Sequence, residues 1–582
     1  SDMEYVSSML WSKAFDVKID GDLAYCAFLN GLVVLDVSDK RRPTFLSQLY
    51  IGGGFGIDVL DGRAYLASGK KGLNVIDVSN PESPVLAGHL ETEAEVKDVW
   101  VRKNKAFIAD AEGGIKIVHT KNPSSLKLLG SVDTPGRAES LAVKDNFLFV
   151  AAGSSGLQIV DIEVPSNPEI IGSFDTAGKA ERVALGENIA LVTDGSEGVH
   201  IFDVSDPFSP KLLGTYKAGG YAHGLAVEGD LAFVGGLYDG GFEIIDISDP
   251  EKPVQKSWHK YTMYNEAWEV EVSGDYVYIV DYFAGIHLIN IADPSRPRLS
   301  GRFYTPGSII SASTEGDILF TVGDLSGVQA FDISNPSDPK HLGGTRIFRG
   351  VHGMTSSGTH VFATDRWSLK VFDATDPANM KSLPMFRMPG VPRAVVVRGD
   401  LGYMTSDLSG FHVIDLSDIN APEILGSYPM EGFAYGLAVD GGCAYIANSD
   451  TGFFILDISD PENPSKKSSL RTPGLTYGVA VHRTFAYVAD GDAGLQVLDV
   501  SDPSSPSIIG ALGFDGFANA VAVSGEYAYV SDETRGLFKI DISNPRAPKL
   551  AASFATPGES CAVSIWKDYI LLADSFSLFI LK

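Results

Sequence analysis

At 582 residues, with 44% hydrophobic and 21% charged side chains, the chain has the make-up of a folded protein long enough for two cores. Its net charge of −28 leaves no basic surplus to neutralise phosphates, which excludes nucleic acid as a partner and suits an exposed protein that resists self-association. Three cysteines (Cys26, Cys443 and Cys561) are too few for a disulfide framework and read as small buried hydrophobes, and no apolar run reaches the length of a membrane span.

The chain opens with an extended segment, EYVSSMLW from Glu4, followed by the apolar strand AFDVKI from Ala14. From there one motif recurs to the end: GLNVIDVSNPESPVLAG from Gly72, GFFILDISDPENPSKKS from Gly452, GLQVLDVSDPSSPSIIG from Gly494, GLFKIDISNPRAPKLAA from Gly536. The Asp closing its apolar run falls at Asp36, Asp77, Asp161, Asp203, Asp246, Asp332, Asp373, Asp415, Asp457, Asp499 and Asp541, with His119, Asn290 and Lys582 in the same register. Steps of 41 to 44 residues between these fourteen anchors mark a repeat architecture. Within one repeat, TYGVAV (strand A, from Thr476), TFAYVAD (B), GLQVLDVS (C) and SIIGALG (D) are short and rich in β-branched and aromatic residues, and no stretch keeps a 3.6-residue period. Four antiparallel strands per repeat, with strand C apolar on both faces, predict the blades of a β-propeller.

The Asp-φ-Ser-x-Pro ending has a local cause. Asp and Ser side chains accept from backbone N–H groups just beyond them, and Pro stops the ladder. A metal or catalytic role for eleven copies of the Asp is set aside, because every blade needs the turn.

At these residues the chain resembles the LVIVD-repeat family of propellers, over essentially its whole length. The resemblance implies the fold, little about activity, and a setting in envelope-associated or secreted proteins.

Since propellers typically close with about four to eight blades, fourteen repeats predict an all-β chain of two tandem seven-bladed rings, 1–295 and 296–582. The last repeat ends at its strand C, LFILK from Leu578, and the segment at Glu4 sits where a strand D belongs. The expectation is that each ring closes on itself, with Glu4 to Leu10 pairing with the strand C at His287 to Ile291 and RLSGRFY, from Arg298, opening the second ring. The loss of the anchor Asp at Asn290 and Lys582, each then the last strand C of a ring, motivates this scheme.

Function is sought where strand A begins and strand B ends, at one mouth of each ring. The second and third residues of strand A bring Asp16, Asp58, Lys97, Asp98, Glu139, Glu181, Arg182, His223, Trp268 and Glu269 to the first mouth. Carboxylates beside a His serve acid–base chemistry or attract a divalent cation, although no metal-ligand spacing is present; the alternative is a solvated ring of alternating charges. The second mouth carries His352, Arg393, Tyr435 and Tyr477, joined by Arg366 and Trp367, over small neighbours such as Gly353, Ala394 and Gly436. Here, and not at the first mouth, a small anionic or carbohydrate-like ligand is expected, against the alternative that the Tyr rings plug the channel. The connection SWHKYTMYNEAW, from Ser257, is expected to overhang the first mouth, and DGSEG (from Asp194) and DGDAG (from Asp490) read as turns, not Ca²⁺ loops.

No Gly-x-Ser-x-Gly, P-loop, His-Glu-x-x-His or cofactor motif occurs. The leading reading is a non-catalytic binding or scaffolding protein at or outside the cell envelope, with protein or carbohydrate partners. The chain shows no leader of its own, and the opening Ser1-Asp2-Met3 is compatible with one already removed. The alternative is a glycan-active hydrolase or lyase, with carboxylates at a mouth or between the rings.

Overall fold

The computed structural model describes residues 3–9, 11–238, 241–260, 266–282, 284–303, 305, 307–323, 326–345, 350–407, 409–449 and 451–582. Among these residues the chain forms fourteen antiparallel sheets and no α-helix. Thirteen sheets have four strands; in the remaining one the outer strand is split into Lys381–Ser382 and Phe386–Arg387. Third strands are the most buried. In Gly31–Asp36, every residue before the Asp is buried, because apolar side chains on both faces meet neighbouring sheets. Fourth strands face outwards and carry polar residues.

All eleven anchor aspartates accept from the backbone N–H two residues on, as from Ser38 to Asp36 at 2.8 Å, Ser79 to Asp77 at 2.9 Å and Ser543 to Asp541 at 2.9 Å. They are turn residues, as the sequence predicts. The fourth strand then supplies the contact to the next sheet. Where its middle residue is Ser, the hydroxyl donates to a carbonyl in the neighbouring turn: Ser47 to Pro81 (2.5 Å), Ser257 to Pro294 (2.7 Å), Ser468 to Pro503 (2.6 Å). Where it is Gly, the approach is too close for a side chain, and a Cβ on Gly172 would lie 2.1 Å from the Pro207 carbonyl oxygen.

The chain divides into two compact units, residues 12–305 and residues 1–11 with 306–582. Each closes as a circuit. In the first, the inner strand Ala14–Asp20 packs against both Gly56–Leu60 and Ala267–Ser273, and Gly301 lies against the Lys40 carbonyl. In the second, Ile309–Glu315 packs against Gly353–Ser357 and Ser560–Trp566, and Ser7 donates to the Pro336 carbonyl at 2.6 Å.

Self-closure by the N-terminal strand is corrected. Tyr5–Met9 pairs with Ser577–Leu581, not with the strand at His287, and Arg298–Phe303 completes the sheet of Gly285–Asn290 instead of opening the second unit. Thus the chain starts in one unit, builds the other, and returns; the units divide after residues 11 and 305, not after 295. The reason is local. Asn290 caps its turn as Asp does, accepting from Ala292 N–H at 3.2 Å, and the intact turn delivers the next segment straight onto the strand edge. A short loop closes at lower entropic cost than pairing with a distant segment. The edge of Ser577–Leu581 receives the N-terminal strand, and Glu4 and Lys582 exchange both backbone hydrogen bonds at 2.9 Å. Leu10, Tyr304 and the expected overhang at 261–265 lie outside the described residues.

Candidate functional site

The innermost strands of unit 12–305 place the predicted charges in two groups. The first is structural. Asp16 accepts from Ile57 N–H (2.7 Å), Asp58 from Val101 N–H (2.7 Å) and Asp98 from Leu141 N–H (2.9 Å), each on one oxygen. The other oxygen of each takes the N–H of the following residue, Val17, Val59 and Val99, at 2.7 to 2.9 Å. These carboxylates stitch successive inner strands together. Glu269 accepts from Val270 N–H (3.0 Å) and pairs with the Arg182 guanidinium. Burial pushes Asp16 well above the usual carboxylate range, with Glu269 and Asp98 adding to it. Burial likewise raises Asp58, against the pull of Lys18, and Asp98 and Glu269, against that of Arg182.

The second group lines an open recess of about 630 Å³. Lys97, Glu139, Glu181, Arg182, His223 and Trp268, all picked out by sequence, border it, whereas Asp16, Asp58, Asp98 and Glu269 do not. One wall is aromatic. Trp268 stacks on Tyr282 (5.2 Å) and lies tilted against His223 (4.3 Å), and Phe15 meets Trp268 and Tyr282 edge-on at 5.6 Å and lies tilted against Phe55 at 4.9 Å. His223 donates from Nδ1 to the Trp268 carbonyl at 2.7 Å, and burial, reinforced by Arg182, holds it well below the usual imidazole range, so the ring is neutral. The opposite wall is ionic. Lys179 bridges Glu181 (3.0 Å) and Glu139 (3.5 Å); Arg137 reaches Glu112 (3.0 Å), Glu139 (3.4 Å) and Glu95 (3.8 Å); Lys97 pairs with Glu95 (2.9 Å). Tyr221 donates to Glu181 at 2.8 Å.

Sequence reasoning missed Phe55, Arg137, Lys179 and Tyr221, which lie two residues before the inspected column and, by strand periodicity, on its face. It also missed Tyr238 and Tyr282, just past strand B. Tyr238 is exposed on the rim at φ 56°, a left-handed conformation a bulky residue rarely keeps without cause.

In unit 306–582 the predicted residues also meet. Tyr435 stacks on Tyr477 (5.0 Å) and on Phe433 (6.2 Å), with the Arg393 guanidinium 5.3 Å over its ring. Arg393 is committed within the protein: Nε and Nη2 donate to one oxygen of Asp407 at 2.8 and 2.5 Å, and Nη1 to His352 Nδ1 at 3.0 Å. Arg366 lies over the ring of Trp367 (5.4 Å), which is 63% exposed. Asp194 and Asp490 tie their loops to the loop before strand A, accepting from Gly178 and Gly474 N–H at 2.8 and 3.0 Å. Cys26, Cys443 and Cys561 are free thiols, the first two buried and Cys561 half-buried with its Sγ 3.0 Å from the Ile309 carbonyl. Among the described residues no group of three or more His, Cys, Asp or Glu is arranged to hold a metal ion.

Closed circuits of four-stranded antiparallel sheets with a recess at one mouth define a β-propeller repeat protein. The chain belongs to the LVIVD repeat family, whose model matches residues 12–49, 53–92, 94–134, 135–176, 177–218, 219–258, 265–305, 431–472, 473–512 and 515–556. The matches run from residue 12 to residue 556, with 306–430 between them unmatched. Curated proteins give no match. Among solved structures the chain is similar to PorZ of Porphyromonas gingivalis, an essential bacterial surface component of the type-IX secretion system. The TM-score is 0.64 over 99% of this chain and 86% of that one, at 11% identity, a likeness of fold alone.

Proposed function

We propose that the chain is a non-catalytic binding protein of the cell surface or envelope, built as two seven-bladed propellers, that takes its ligand in the mouth of unit 12–305. The observation carrying this reading is the recess itself: an aromatic wall facing an ionic wall whose groups already hold one another in place. Such a site is pre-organised for recognition. Carboxylates placed for acid–base work are instead spent on Lys179, Arg137 and backbone amides. Two circuits among fourteen sheets support the blade count, and the surface location described for PorZ, similar in fold, supports the setting. No helix among the described residues is long and apolar enough to cross a membrane.

The test is to probe a glycan array and a peptide library with the parent and with Trp268→Ala. Ligands that bind the parent, lose the variant and emerge uncleaved support the reading. Cleavage that Glu139→Gln or Glu181→Gln abolishes would establish the hydrolase alternative. A second reading, in which His352, Arg366, Trp367, Arg393, Tyr435 and Tyr477 form a ligand site in unit 306–582, is favoured by the exposed Trp367 beneath Arg366. Binding that survives Trp268→Ala and is lost in Trp367→Ala would select it.

A further inference from the structure

The recess has a polarity that the net charge of the chain hides. Cations stand above its deeper carboxylates: the Lys179 and Arg137 side chains are 50% and 42% exposed, whereas Glu139 and Glu181 are 11% and 8% exposed; of the other acids paired with Arg137, Glu112 is exposed and Glu95 partly so. An approaching ligand meets the Lys179 ammonium and the Arg137 guanidinium before it meets Glu139 or Glu181. On a chain of net charge −28 this rim is a local exception, because an anion is repelled from most of the remaining surface. The aromatic wall adds a second requirement. Trp268, backed by Tyr282 stacked at 30°, borders the recess and offers its indole to a flat ring of apolar C–H groups. A free cation is a poor guest, since Lys97 and Lys13 already lie 4.8 Å over the Phe55 and Tyr282 rings.

We propose that the recess recognises a sugar acid, a saccharide ring bearing a carboxylate. The C–H face of the ring packs on Trp268 while its carboxylate docks between Arg137 and Lys179. The planar Arg137 fork accepts a carboxylate on two donors. The Arg137 contacts at 3.4 and 3.8 Å to Glu139 and Glu95 are long, and its 3.0 Å contact is to the exposed Glu112; a ligand carboxylate competes with such exposed pairs at small cost. Glu139 and Glu181 remain below as the support that keeps Lys179 in position. The divalent cation expected at this mouth from sequence meets like charge at its rim, from Lys179 and Arg137. This inference rests on the recess being the ligand site and adds the ligand's class.

The experiment is calorimetric titration of the whole chain with trimers of glucuronate, galacturonate and mannuronate, and with the same trimers methyl-esterified. Expected is binding of at least one uronate, weakened tenfold or more by esterification and progressively by added salt. Lys179→Gln and Arg137→Gln, both on half-exposed side chains, should weaken the acid tenfold and leave the ester unchanged. The acid-against-ester comparison on the parent keeps the test decisive if a variant misfolds. Esters that bind as tightly as acids overturn the sugar-acid inference and leave the binding recess standing. So does a failure of all trimers while peptide ligands of the parent are lost in Trp268→Ala. If no saccharide or peptide depends on Trp268, both readings fall.

Discussion

Met9→Ala should destabilise unit 306–582 although Met9 precedes the whole of unit 12–305 in sequence. Met9 pairs in register with Leu578 and packs in one cluster with Phe331, Trp566, Leu571, Leu578 and Ile580. It is nearly buried, and the other members come from the first and last sheets of that unit, so the cavity left by truncation opens at its closure. Truncating a buried Met to Ala costs about 2–5 kcal/mol. A loss near 3 kcal/mol lowers the melting temperature of a unit this size by roughly 5–10 °C. Hydrogen exchange followed by mass spectrometry locates the effect. Amides of Ser577–Leu581 and Ser560–Trp566 should lose protection, and those of Gly285–Asn290 and Arg298–Phe303 should keep it. Protection lost at Gly285–Asn290 instead would refute the returning topology and restore self-closure.

Two further outcomes follow from the buried charges. The raised carboxyl of Asp16 favours the protonated folded state, so its contribution is complete below the ordinary aspartate range and is lost as pH rises through its elevated folded value. His223 and His287, both lowered chiefly by burial, act oppositely as pH falls below 6.5, so the informative quantity is the difference between parent and Asp16→Asn. Asp16→Asn should gain on the parent as pH rises from 5 to 8 in denaturant titrations of unit 12–305; a constant difference would mean that Asp16 is not held protonated. Arg393→Ala, which strands the buried Asp407, should cost unit 306–582 about 3 kcal/mol, whereas Trp367→Ala should stay within about 0.5 kcal/mol in the same thermal melts. Equal effects would contradict the structural role given to Arg393.

The architecture was legible because every sheet repeats the same physical tasks. A turn Asp, a strand apolar on both faces, and a Gly or Ser on the outer strand are needed once per blade, so they recur about every 42 residues. The error at Asn290 came from reading a changed letter as a changed task. Asn carries the same acceptor oxygen, and Asp293, Pro294 and Pro297 after it already announce another outer strand.

The site was half legible for a related reason. Asp16-Val17, Asp58-Val59 and Asp98-Val99 recur at the repeat spacing, and their carboxylates do the blade's own work of joining inner strands. The logic that set aside the eleven turn aspartates applies to them equally, yet their charge made them look functional. The column two residues earlier behaves differently: Lys13, Phe55, Glu95, Arg137, Lys179, Tyr221 and Glu266 spread five residue types over seven blades. No fold requirement explains that variety, and Phe55, Arg137, Lys179 and Tyr221 line the recess. In this chain the positions that keep their residue join the inner strands, and the positions that change it, on a face turned towards the mouth, line the recess.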